Sequence, residues 1–268
     1  MNRKGMTLIE LLVALTISGI LVAGVYRTFV SQQHTFTVQE QVVDMQQNVR
    51  LAINRMTREL RMAGFGRMGA TFFGTGKMHG TYEHVVTPVG GNQVTVVGAY
   101  QTITTLSANA TSGAKTIQVN DASGFNTGLK QYISINGIES LQIHKITGNQ
   151  IDFKAGTQLA NDHLAGEPVF LVMAITYSLG VSEGKSALLR DDNLGLGPQP
   201  VAENIDDLQF AYLDSNGNPT GNPDDIRMIQ VTIIARTDKT DPELAKVGDG
   251  FRRRTLTSNI QLRNLAFL

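Results

Sequence analysis

The sequence predicts an α+β protein, a long amino-terminal helix laid on an antiparallel β-sheet. Three observations carry this. An apolar run from Met6 to Tyr26 passes, with no proline before Pro88, into a stretch of helical period. Gly64 and Gly66 end that period. Beyond them the chain holds short β-branched segments divided by glycine, asparagine and aspartate.

The first element is the apolar run. Met6–Val25 is 20 residues long, about 30 Å of helix and enough to cross a bilayer. Arg3 and Lys4 hold the amino end on the cytoplasmic side, so the rest of the chain is expected across the membrane. A secretory signal peptide shares the basic head and apolar middle. Three details weigh against it: Glu10 sits inside the apolar core, no small-x-small cleavage site closes the run, and the helical period continues past Tyr26. A carboxylate in hydrocarbon costs at least ~2.5 kcal/mol, so Glu10 calls for a partner. Thr7 and Glu10 also have the spacing of a helix-start cap.

The helix then changes solvent. Val38, Val42, Met45, Val49, Ala52, Met56, Leu60 and Ala63 recur every three or four residues as an amphipathic stripe, with Arg50, Arg55, Arg58 and Arg61 largely on other faces. Arg55 and Glu59 stand at i,i+4, an exposed pair expected to contribute little. One helix from about Thr7 to Ala63 follows, residues 6–26 in lipid and 27–66 on the head. A coiled-coil stalk competes, but the seam lasts under four heptads.

Residues 67–101 read as a loop followed by the first strand of the head, Gln93–Val97; no period is visible from Phe65 to Gly91. Strands are expected over 168–177, 187–190, 205–213, 226–236 and 252–262, which makes 168–268 the main sheet. Between 102 and 167, short pieces recur at 116–119, 132–135, 141–146 and 151–153, with turn chemistry at Asn136-Gly137 and Gly148-Asn149. They read as a small all-β module inserted into a loop of the head. The alternative is that they extend the main sheet.

Composition narrows the function classes. With 268 residues the chain can bury a real core in one or two domains. The 23 basic and 23 acidic side chains cancel, so no basic surface advertises nucleic acid. Cysteine is absent and 41% of residues are apolar, so an exported head must rely on packing.

The string Lys4-Gly5-Met6-Thr7-Leu8-Ile9-Glu10-Leu11-Leu12 resembles the class III signal of type IV pilins and type II secretion pseudopilins. The resemblance implies a pilin-like lollipop anchored in the bacterial inner membrane, its head on the periplasmic side. It implies that prepilin peptidase cuts between Gly5 and Met6, removing the leader 1–5, and methylates the new amino terminus at Met6. Glu10 then serves processing and assembly, and the Met6 ammonium of a neighbouring subunit is a suitable counter-charge. A second likeness covers Pro200–Tyr212, Ile226–Arg236 and Arg55–Gly64, which are similar to PilW-type minor pilins and J-class minor pseudopilins. Many major pilins have a proline in the membrane helix and a carboxy-terminal disulfide. This chain has neither, which favours a minor subunit. The implied partners are prepilin peptidase, other pilins or pseudopilins and the inner-membrane assembly platform.

Catalytic and ligand motifs fit poorly. Gly64–Gly69 matches GxGxxG but ends a helix instead of joining strand to helix. Gly180–Gly184 matches GxSxG but lies between strands, where a hairpin turn is expected. His79, Glu83 and His84 could ligate a metal, while His34, His144 and His163 offer no companion spacing; all are expected as surface polar residues. Arg252-Arg253-Arg254 reads as a solvated strand start. Asp214, Asn216, Asn218 and Asp225 place oxygens as a calcium loop does, although Pro219 stands where glycine is usual; a hairpin at Asn216-Gly217 is the competing reading. The expected function is therefore non-enzymatic: a minor pilin that starts or caps a type IV pilus. The alternatives are a type II secretion minor pseudopilin and a membrane-anchored binding or hydrolytic domain with a borrowed leader.

Overall fold

A computed structural model describes residues 7–66 and 82–265. Helix α1 runs Leu8–Arg61 as one element of 54 residues. Contacts divide the chain into two compact units, Met1–Gln46 with Thr237–Arg252, and Gln47–Arg236 with Arg253–Leu268. In the first, the side chains of α1 from Leu8 to Phe36 include thirteen exposed large apolar groups besides Leu8 and Phe36 themselves. This stretch is long and apolar enough to cross a membrane, and none of its most apolar window is buried by the fold. Loop 237–252 accompanies it, closed by a bond from Thr237 N–H to Arg252 C=O (2.9 Å).

In the second unit the expected stripe holds. Val49, Ala52, Met56 and Leu60 are buried, and Ile53 joins them on the same face. Gly64 ends the helix with a positive φ of 78°, a conformation that costs glycine nothing. Its N–H reaches Val97 C=O of the sheet (2.8 Å). A Cβ at Gly98 would lie 2.7 Å from Met62 C=O, so the helix end approaches the sheet only because Gly98 has none.

The larger sheet is antiparallel and nine-stranded among the described residues: β1 (Val86–Val89), β2 (Gln93–Thr105), β3 (Thr116–Gln118), β4 (Tyr132–Ile135), β5 (Glu139–Thr147), β6 (Gln150–Phe153), β7 (Pro168–Ser182), β8 (Lys185–Asp191) and β9 (Gln199–Glu203). β7 is its spine. It pairs with β2 along one edge, and with β4 and then β8 along the other. A separate three-stranded sheet has the order β10 (Ile205–Leu213), β11 (Met228–Arg236), β12 (Arg253–Gln261). In β11 burial alternates without a break, with Ile229, Val231, Ile233 and Ala235 turned inward.

The strand boundaries differ from expectation in informative ways. β2 continues eight residues past Val97, through two register shifts that let the strand bend. β1 falls where no period is visible and a loop is expected, and β9 precedes the strand expected at 205–213; each contains a proline and each lies at a sheet edge, where proline is tolerated. Residues 102–167 share an apolar cluster that includes Leu106, Ile117, Ile133, Ile151 and Leu159. They are also tied into the sheet through the β4–β7 ladder. Turns fall where their chemistry put them: Asn136 and Gly137 both have positive φ between β4 and β5, and Glu183-Gly184 close the β7–β8 hairpin within the GxSxG string.

Candidate functional site: the helix start and the buried polar clusters

The sequence concentrates function at the amino end. Gly5 and Met6, the expected cleavage and methylation positions, lie outside the described residues. Thr7 and Glu10 form a reciprocal cap: the Glu10 carboxylate accepts from Thr7 N–H (2.8 Å) and from the Thr7 hydroxyl (2.9 Å), and Glu10 N–H points back at that hydroxyl (3.4 Å). Leu8, Ile9, Leu11 and Leu12 around it are exposed. The carboxylate therefore draws on the positive end of its own helix, and nothing else in the described chain answers its charge.

At the other end of α1 a second glutamate is treated differently. Glu59 accepts from Tyr177 hydroxyl (2.7 Å) and from Arg190 Nε (2.9 Å). Arg55, the expected partner, stands farther off at 3.6 Å. The expectation of a weak surface pair is corrected: Glu59 and Arg190 are only 17% and 14% exposed, and the pair joins helix to sheet. Burial, and then the Glu59 charge, push the phenols of Tyr100 and Tyr177 up.

His163 also departs from expectation. It is wholly buried, with Nε2 2.8 Å from Glu139 and Nδ1 2.6 Å from Glu167. Glu139 additionally accepts from the amides of Ala160 (2.8 Å) and Asn161 (3.1 Å). The cluster pins the loop before β7 to the start of β5. One signal was in the sequence, Glu167 four residues after His163; Glu139 is visible only in the fold.

The remaining candidates fall on turns and pairs. Asp214 accepts from the amides of Asn216 (2.8 Å) and Asn218 (2.9 Å), and the Asn218 amide leads in holding its carboxyl below the usual range. Asp225 ends a 3-10 turn and accepts instead from Asn222 Nδ2 (2.8 Å). Asn216-Gly217 does make a tight turn, closed by Asp214 N–H to Asn218 C=O and Thr220 N–H to Tyr212 C=O (both 2.9 Å) with Leu213 bridged to Pro219. The chain runs on through Asp225 before β11 begins, so this turn does not itself join β10 to β11. His84 pairs with Asp224 at 3.0 Å, Glu83 is exposed, and His79 lies outside the described residues. Among the described residues no three His, Asp or Glu side chains are grouped to hold a metal ion. Arg252 and Arg253 are not merely solvated: Arg252 grips buried Asp241 (2.6 Å), and Arg253 meets Asp206 (2.5 Å). In the first unit His34 stands 3.5 Å from the same Asp241, beside a cavity of about 220 Å³.

Comparison with known proteins bears on the amino end. Residues 1–26 match the prokaryotic N-terminal methylation motif. The chain is similar to a solved structure, the type IV-like pilin TTHA1219 from Thermus thermophilus, at 13% identity over 82% of this chain and 97% of that one, with a TM-score of 0.35. No curated protein matches the chain. The amino terminus is thus prepilin-like, and it leads a long apolar helix into an antiparallel β head.

Proposed function

We propose that the chain is a minor pilin, a non-catalytic structural subunit that starts or caps a type IV pilus together with other minor pilins. Prepilin peptidase cuts after Gly5 and methylates Met6; the apolar half of α1 then holds the subunit in the inner membrane, head on the periplasmic side. The observation that carries the reading is the methylation motif over residues 1–26, set on a helix whose apolar half is exposed among the described residues. In the filament those side chains turn to neighbouring helices, each Val or Leu kept from water contributing about 1.5–3 kcal/mol. Glu10 sets the axial register by meeting the amino terminus of a neighbour. What supports that role is that, beyond Thr7 of its own first turn, the carboxylate has no partner among the described residues, so its charge is left for a neighbour to answer.

Two substitutions test the reading. Gly5→Glu should leave an uncut precursor, heavier by the leader in a mass spectrum. Glu10→Ala should leave the head folded and stop incorporation, read as subunit retained in the membrane and missing from sheared filaments. Wild-type incorporation of Glu10→Ala would falsify the charge pairing. A gene neighbourhood of pilus retraction and minor-pilin genes accords with this system, and a type II secretion neighbourhood with the pseudopilin alternative.

A further inference from the structure

A β-sheet can be extended at any edge whose backbone groups stay open, and most edges of this protein are guarded. β1 carries Pro88 and β9 carries Pro200. β3 is sealed by Ser107 N–H to Gln118 C=O (2.9 Å). β10 is bulged between Ile205 and Asp207 and meets Gly91 C=O through Phe210 N–H (2.8 Å). β12 has none of these features. Its nine residues hold no proline and no lysine, and they pair with β11 without a register shift.

The ladder fixes which groups are open. Thr237 N–H bonds Arg252 C=O and Leu262 N–H bonds Arg227 C=O, so Arg254, Leu256, Ser258 and Ile260 turn their N–H and C=O toward β11. Thr255, Thr257 and Asn259 turn theirs away, with no partner among the described residues, and all three are exposed. The side chains show the same gap. Leu256 shares a face with buried Ile233 of β11, yet it is 37% exposed because no strand lies beyond it. Arg254, two residues earlier on that face, has no acidic partner among the described residues.

We propose that β12 is a docking edge, and that it takes up an extended acidic segment of another pilin-type subunit as an added strand. The strand lies antiparallel, like the other pairs of this sheet. It places an aliphatic side chain opposite Leu256 and, two residues later, an Asp or Glu opposite Arg254. A second copy of this chain fits worse. Among the described residues β12 is the one unguarded edge of that copy too, and it contains no acidic residue, so pairing two of them leaves both Arg254 side chains without a carboxylate. The inference rests on the assembly reading above and gives that reading a contact surface and a partner chemistry.

Amide exchange of the unaltered full chain tests it. The Thr255, Thr257 and Asn259 amides should exchange freely when the chain is alone in detergent, and about tenfold more slowly in its complex with other pilin subunits. Thr257→Pro removes only an outward N–H, so it should leave the melting temperature in detergent close to wild type and lower incorporation several-fold. Ser258→Pro removes an N–H that the ladder uses and should lower the melting temperature itself. A photoreactive benzoylphenylalanine in place of Leu256 should cross-link to a segment of another subunit that has Asp or Glu two residues after an aliphatic residue. Unchanged exchange at Thr257 in the complex overturns the proposal, as does a cross-link to a second copy or to a segment without that pattern. If Glu10→Ala blocks incorporation and Thr257→Pro does not, the docking edge falls and the assembly reading stands; if neither does, both fall.

Discussion

Glu10 and Glu59 stand near opposite ends of one helix and show how a single element serves two solvents. Glu59 is enclosed by the head, its charge met by Arg190 and its other lone pairs by Tyr177. Glu10 has only the first turn of its own helix, amid exposed leucines and isoleucines. The difference separates folding from assembly. A carboxylate whose partners are internal is part of what makes the head stable. A carboxylate left among apolar side chains with no internal counter-charge is costly until something outside supplies one.

The sharpest way to break this comparison is to remove each carboxylate in turn. Glu59→Ala leaves a largely buried Arg190 with only the longer contact to Asp192 (3.8 Å) and frees the Tyr177 hydroxyl, and should cost about 3 kcal/mol of head stability. Glu10→Ala should leave the melting temperature of the full chain in detergent unchanged. Equal shifts from the two substitutions would erase the distinction. A somewhat smaller effect is expected at His163. His163→Ala removes two contacts to carboxylates, but Glu139 keeps the amides of Ala160 and Asn161, so the loss should be about 2–3 kcal/mol. Chemical denaturation of the full chain in detergent reads both, through a lower midpoint with an unchanged slope.

How much of this was legible in the sequence depends on the range of the signal. The stripe from Val49 to Leu60 repeats within one element, and period alone placed it. The alternation of β11 was equally local. The helix-start cap needed only Thr7 and Glu10, three residues apart. Gly98 misled because a glycine after five alternating residues looks like a strand end; its actual task is to admit Met62 C=O, a contact no local pattern encodes. Glu59 misled for the same reason. Arg55 offers the visible i,i+4 partner, whereas Arg190 wins by reaching in from β8 and excluding water. His163 looked like a surface residue because one of its two carboxylates lies 24 positions earlier in the chain.

Asp241 extends the comparison to acid. Its carboxyl is held below the usual range by the hydrogen bond from Arg252, then by the amide of Glu243. A depressed folded value means that the unfolded chain takes up the proton first. The stability it contributes is therefore complete above the ordinary carboxyl value of 3.8 and disappears as pH falls through the lower folded value. Protease cleavage within loop 237–252 should accelerate only in that acid window. Arg252→Ala should move the acceleration to higher pH, toward the ordinary carboxyl value; an unmoved profile would show that Arg252 does not set it.

The smallest effect is expected at Asp214, a half-buried residue whose carboxylate is held by backbone amides of its own turn. A calcium ion would compete with those amides for the same oxygen and would also have to draw in Asp225, which is engaged with Asn222. Binding must then pay for undoing two turns before any metal–oxygen bond is gained. Adding Ca²⁺ to the full chain should accordingly leave its melting temperature unchanged, while Asp214→Ala lowers it slightly by freeing the amides of Asn216 and Asn218. A rise with Ca²⁺ that Asp214→Ala abolishes would make the loop a metal site, and would give the head an external counter-charge of the kind otherwise needed only at Glu10.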